Sequence, residues 1–249
     1  MATLVRSVVL AAAAGAAVTA SVSLAPVAAA DGVAVYPGME IRQESSMCTL
    51  GYVDPVARVG YSAGHCRGGG GGLVTDRNGR FIGVVATARD NTPDGAVVRT
   101  DQQISDYQTI KLADDVTINP VLPGGRPLIT DPAATLSPGQ PVCHFGVVTG
   151  ESCGTVERIN NGWFTMENGV VSQKGDSGGP VYTLDGNGRA ILVGLFNSTW
   201  GRLPAAVSWQ ATGQQVREDT AAAATVTNVA AALGKVAAAL GKAANLGGN

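Results

Sequence analysis

The sequence predicts an all-β fold in two antiparallel halves, followed by a helical tail. Three observations carry this expectation. Short apolar runs are separated by turn residues such as Asn78-Gly79, Asn161-Gly162 and Asp185-Gly186. The stretch Asn119 to Pro132 holds four prolines and two glycines, which suits neither a helix nor a central strand, and it divides the chain into comparable halves. The alanine-rich C-terminus changes to a helical period.

The 249 residues begin with Arg6 and an uncharged apolar stretch from Ser7 to Ala30 that ends in Ala28-Ala29-Ala30. This pattern predicts a signal peptide over residues 1–30, a mature chain from Asp31, and no membrane association once the leader is cut. Strands are expected at Met47 to Val53, Val56 to Ser62, Gly72 to Thr75, Phe81 to Ala88 and Ala96 to Arg99 in the first half. The second half offers Val142 to Val148, Gly154 to Ile159, Trp163 to Met166, Pro180 to Leu184, Ala190 to Asn197 and Ala205 to Trp209. The domain boundaries that follow are 31–122 and 123–212, with a tail over 213–249. In the tail, Val229, Leu233, Val236, Leu240 and Ala243 recur at steps of four and three, and Val-Ala-Ala-Ala-Leu-Gly-Lys appears twice. One apolar stripe results, and docking on the body is its favoured use. Gly234 and Gly241 each cost about 1 kcal/mol against alanine.

The formal net charge is −2, or −3 once Arg6 leaves with the signal. So modest an acidity gives no footprint for nucleic acid and no basic helix for anionic lipid, which leaves a polypeptide as the expected partner of a monomeric chain. Four cysteines in an exported chain imply two disulfides and a secreted, oxidising destination. Three pairings are open, and proximity in sequence favours Cys48 with Cys66 and Cys143 with Cys153. The cysteine and histidine spacings match no common zinc pattern, so neither metal nor cofactor is expected.

The chemistry concentrates in two motifs. Gly175-Asp176-Ser177-Gly178-Gly179-Pro180 places one serine among small residues. A serine nucleophile needs a base, a group orienting that base, and donors for the oxyanion. Gly175 can adopt backbone angles that aim its N–H, with that of Ser177, at a carbonyl oxygen. Of the two histidines, His65 lies in Ser62-Ala63-Gly64-His65-Cys66, where small residues leave room above the ring. No histidine follows Ser177, which argues against the chain order of α/β-hydrolases, and the setting of Asp54 is unlike that of a subtilisin acid. The Gly68 to Gly72 run lacks the lysine and following helix of a phosphate cradle and reads as a surface loop.

Together the two motifs resemble the chymotrypsin-like serine protease family, and within it the secreted bacterial streptogrisin-like branch, over roughly Cys48 to Trp209. The resemblance implies two six-stranded Greek-key β-barrels with a C-terminal α-helix and an active-site cleft between the barrels. It implies a serine endopeptidase with the triad His65, Asp94 and Ser177, Asp94 being chosen over Asp90 and Asp101 because it leads into Ala96-Val97-Val98. Gly175 and Ser177 would form the oxyanion hole. Counting back from the nucleophile puts Val171 at the base of the specificity pocket, with Asn197, Ser198 and Thr199 along its wall and Lys174 beside it, which predicts an uncharged substrate residue there. His144 stands where relatives carry an arginine. It is expected either to pair with Asp176, which would raise its pKa, or to face solvent from its strand. The competing function is a weak or inactive protease-fold binding protein at the cell envelope.

Overall fold

The structure, a computed structural model, describes residues 32–69, 72–92 and 98–246. The expected signal peptide, Asp94 and part of the strand expected at Ala96 to Arg99 lie outside the described residues. Val98 and Arg99 are described and are not in a strand.

The first half is built from β1 (Ala34–Val35), β2 (Glu40–Gln43), β3 (Ser46–Thr49), β4 (Tyr52–Asp54), β5 (Val59–Ser62), β6 (Leu73–Asp76), β7 (Phe81–Asp90), β8 (Asp106–Leu112) and β9 (Thr117–Ile118). Seven of these form one sheet in the order β3-β2-β6-β7-β8-β5-β4. Its two edge strands are consecutive in the chain, joined through Leu50 and Gly51, so the sheet curls back on itself without a closing ladder. The two remaining strands, β1 and β9, pair in parallel. Fully buried Val35, Ile41, Leu50, Val53, Val74, Ile82 and Ile110 fill the interior, each worth about 1.5–3 kcal/mol of hydrophobic burial.

The second half contains β10 (Leu128–Ile129), β11 (Pro141–Gly146), β12 (Gly150–Ile159), β13 (Trp163–Glu167), β14 (Pro180–Leu184), β15 (Ala190–Trp200) and β16 (Leu203–Ser208). The order β15-β14-β11-β12-β13-β16, with β15 also pairing β16, closes a six-stranded barrel, and β10 adds to β15 in parallel. Its core is Val142, Val156, Phe164, Met166, Val181 and Phe196. The fold is the chymotrypsin-like double barrel.

Several features depart from the sequence reading, among them the expected strand Met47 to Val53, which is divided into β3 and β4. The longest unanticipated strand is β8, Asp-Tyr-Gln-Thr-Ile-Lys-Leu, where every residue except Lys111 is buried. With both faces covered, it buries Gln108 and Thr109 side by side, which breaks the apolar/polar alternation that marks a half-exposed strand. Trp209 does not end a strand but begins α1 (Trp209–Leu246), where the Ser208 hydroxyl accepts weakly from the Ala211 N–H at 3.5 Å.

Among the described residues, the helix docks through its beginning. Trp209 packs edge-on to Tyr52 and Tyr61, with ring centroids 5.3 and 4.9 Å apart. Thr212 and Gln215 are buried, and Asp219 reaches Arg89 and Tyr107. Residues 221–227 and 229–231 are exposed. Val229, the first residue of the expected apolar stripe, is exposed, the side chains of Leu233, Val236, Leu240 and Ala243 lie outside the described ones, and the described seam is set by Trp209, Thr212, Val216 and Asp219. Among the described residues, no helix is long and apolar enough to cross a membrane.

The disulfides are Cys48–Cys66, 18 residues apart, and Cys143–Cys153, 10 apart. The first ties the turn carrying His65 to β3, and the second crosses the β11–β12 hairpin. Replacing Cys48 and Cys66 together by alanine is expected to cost about 3 kcal/mol through the freed loop of the unfolded chain. Denaturant titration of the double variant against the parent measures it.

Candidate active site

His65 lies on a single 3-10 turn, Gly64–Cys66, after β5. Gly64 is required there by close approach, since a Cβ would overlap the Arg89 carbonyl oxygen and meet that of Tyr107 at 2.8 Å. The turn thus rests directly on the backbone of β7 and β8.

Asp94 lies outside the described residues, and the carboxylate that faces His65 is Asp106. Its Oδ2 lies 2.8 Å from His65 Nδ1 and its Oδ1 accepts the His65 backbone N–H at 2.8 Å. Nδ1 carries a single proton, so this contact takes the place proposed for Asp94. Asp106 opens β8 at the rung opposite Asp90, and the β5–β8 pairing brings it beside the histidine turn. The Asn197 amide Nδ2 also donates to Asp106 Oδ2. Asp106 is 1% exposed, and a buried carboxylate persists only when its oxygens are supplied with donors. Burial lowers the pKa of His65, but the hydrogen bond and charge of Asp106, with a smaller pull from Asp90, raise it above 6.5 on balance.

Ser177 follows Gly175, whose φ of +108° is a conformation that side chains disfavour. A Cβ at Gly175 would also strike Met47 and come 2.8 Å from Val148. The loop bearing Ser177 is held by the first half: the Thr49 hydroxyl donates to the Gly175 carbonyl at 2.8 Å, and the Thr49 N–H donates to the Ser177 carbonyl at 2.8 Å. The Ser177 hydroxyl donates to the Asn197 carbonyl at 3.3 Å. His65, Ser177, Gly175, Lys174, Met47 and the Cys48–Cys66 disulfide line one cleft of about 370 Å3. The sulfurs of Cys48 and Cys66 lie within 4.8 Å of a His65 ring nitrogen. They are bonded to each other, so this cluster offers no thiolate to a metal.

The expected specificity residues divide. Lys174 lines the cleft. Asn197 is buried and serves Asp106 instead of a pocket wall. Ser198 and Thr199 are exposed on β15. The Thr199 hydroxyl bonds that of Ser172 at 2.9 Å, bridging β15 and the segment before the nucleophile. Val171 is 51% exposed, with its N–H donating to Ser152 Oγ, and does not form the floor of an enclosed pocket.

The His144–Asp176 pair does not form. Asp176 is fully buried, and its carboxylate accepts from the Val148 and Thr149 N–H groups, the Thr149 hydroxyl and the Gln173 N–H, at 2.8–3.2 Å. These four neutral donors replace a cation. His144 is neither paired with Asp176 nor exposed to solvent. It is fully buried, stacks on Phe196 with centroids 4.3 Å apart, and holds Nδ1 3.3 Å from the Pro180 carbonyl. Burial pushes its pKa down to about 4, against the opposing influence of Asp176 and Pro180.

Two pH effects follow. His65 must be neutral to accept a proton, so any activity it supports falls as pH drops through a value above 6.5. Asp106→Asn should lower kcat by roughly four orders of magnitude and remove the elevation of that inflection, both read from pH–rate profiles. His144 acts on stability, which also falls in acid because its folded pKa is depressed. Stability is complete above pH 6.5 and declines towards pH 4 as the unfolded chain takes up a proton that the folded chain refuses. The loss is on the order of 3 kcal/mol. Denaturation midpoints of His144→Phe should lack this component of the acid decline.

No family model matches the chain. Over 192 residues it is 59% identical to the uncharacterized protein Rv1815 of Mycobacterium tuberculosis (strain ATCC 25618 / H37Rv), spanning 77% of this chain and 86% of that protein. The uncharacterized protein MT1863 of strain CDC 1551 / Oshkosh matches with the same identity and coverage. Among solved structures, Thermobifida fusca Protease A superposes with a TM-score of 0.50 at 21% identity, covering 71% of this chain and 91% of that one. A glutamic acid specific serine protease gives 0.50 at 19% identity, over 76% and 98% of the two chains. An inactivated protease paralogue of the scabies mite, S-I1, gives 0.51 at 12%, over 73% and 92%. At these identities the solved structures speak for the fold alone. The chain belongs to the family of the mycobacterial protein Rv1815, which it builds on the chymotrypsin-like double barrel.

Proposed function

We propose that the chain is an exported serine endopeptidase acting through His65, Asp106 and Ser177. The observation that carries the reading is the His65 Nδ1 to Asp106 Oδ2 contact at 2.8 Å, made in the cleft that also holds Ser177. Such a contact fixes the imidazole tautomer with Nε2 free to accept, and stabilises the imidazolium that forms.

In the proposed reaction His65 Nε2 takes the Ser177 hydroxyl proton as Oγ attacks the substrate carbonyl carbon. The negative charge developing on the carbonyl oxygen is received by the N–H groups of Gly175 and Ser177. His65 then gives its proton to the departing amine. Water repeats the sequence on the acyl-enzyme, with His65 again as base. Asp106 holds the ring in place throughout, its oxygens accepting from His65 and Asn197. Thr49 supports the geometry by fixing the carbonyl groups of Gly175 and Ser177, which orients the peptide planes of the loop. A polypeptide substrate suits the modest charge, and two disulfides with the N-terminal signal pattern support export.

A second reading, a catalytically weak or inactive binding protein, draws on one observation. The Ser177 hydroxyl donates to Asn197 and not to His65, so the reactive hydrogen bond has to form when substrate arrives. A fluorophosphonate probe separates the two readings. The endopeptidase should be labelled stoichiometrically, Ser177→Ala not at all, and His65→Ala at least about a hundredfold more slowly. Absence of labelling in the parent chain would establish the binder.

A further inference from the structure

We propose that Asp219, on the C-terminal helix, is a positioning residue for the His65–Asp106 pair. This inference rests on the endopeptidase reading and extends its machinery to α1. Arg89 and Tyr107 face each other on β7 and β8, at the rung next to Asp90 and Asp106. The carbonyl oxygens of the same two residues are the surface on which Gly64 and the His65 turn sit.

The side chains of that rung converge on one carboxylate. Arg89 Nε donates to Asp219 Oδ2 at 2.8 Å, Arg89 Nη2 donates to Oδ1, and the Tyr107 hydroxyl donates to Oδ2. A bidentate guanidinium–carboxylate pair constrains orientation as well as distance. Tyr107 is fully buried, so without Asp219 its hydroxyl would lose its acceptor. Desolvation and the neighbouring carboxylate both hold the phenol in its neutral, donating form. The remaining charged group at the cluster is Glu218, 3.8 Å from Arg89 and more exposed than Asp219. The helix thereby clamps one rung of β7–β8 from outside, and that rung carries the seat of the base and adjoins the acid that orients it.

Full-length variants test this with two readouts: the rate of fluorophosphonate labelling and the downfield Nδ1–H resonance of His65. Asp219→Ala should slow labelling about tenfold, as expected for a slight misplacement of the base, and broaden the resonance. Asp219→Asn keeps an acceptor oxygen and should restore most of both. Glu218→Gln removes a charge beside Arg89 but leaves the clamp, and should match the parent. Tyr107→Phe, which deletes the hydroxyl together with its need for an acceptor, should give a smaller loss and serves if Asp219→Ala folds poorly. Parental labelling and a parental resonance in Asp219→Ala would overturn the proposal, as would an equal loss in Glu218→Gln. If the parent chain is not labelled, the endopeptidase reading falls, and the His65 resonance alone decides the clamp.

Discussion

The buried carboxylate of Asp106 is the constraint around which the two barrels are organised. An ionised oxygen away from water must be given donors, and no single element supplies enough of them. The His65 turn contributes a backbone N–H and a ring nitrogen, and Asn197 of the second barrel contributes an amide. Satisfying one charge therefore brings the histidine to the acid and the second barrel to the first. Thr49 performs the reciprocal service by holding the Ser177 loop of the second barrel from a strand of the first.

Asp176 illustrates a different solution to the same problem. It too is fully buried, yet its donors are neutral and lie at the end of the β11–β12 hairpin and just ahead of the nucleophile. With the carboxylate so served, nothing requires a cation at position 144. A histidine kept neutral by burial can occupy the space and stack on Phe196. Asp176 and Thr49 together hold the loop bearing Ser177, one from within the second barrel and one from the first.

The parts of the site that were legible in the sequence are those whose chemistry is local. Gly64 and Gly175 are demanded by a close approach and by a positive φ within a few residues of the groups they serve, so His65 and Ser177 stand inside recognisable strings. The acid has no such string. Asp94 stands out in the sequence because it precedes a clean apolar run, whereas Asp106 opens a strand buried on both faces whose polar Gln108 and Thr109 hide its period. A usable signal was present in the β-branched and aromatic content of Tyr107, Thr109 and Ile110, which favours a strand irrespective of alternation. The roles of Asn197 and Asp219 depend on contacts 91 and 130 residues away, and no local pattern encodes them. The tail's helical period is plain in its repeat, whereas the described docking contacts fall on the less regular start, where no repeat marks them.

The bond between Asn197 and Asp106 has a consequence for how such a chain can change over time. Its partners lie in different barrels, so the two halves of the gene cannot drift as independent modules. A recombinant that joined this first barrel to a second barrel lacking an amide at position 197 would inherit a buried oxygen short of a donor. Substitutions on either side must be matched by the other, and the cleft passes from ancestor to descendant as a single heritable unit.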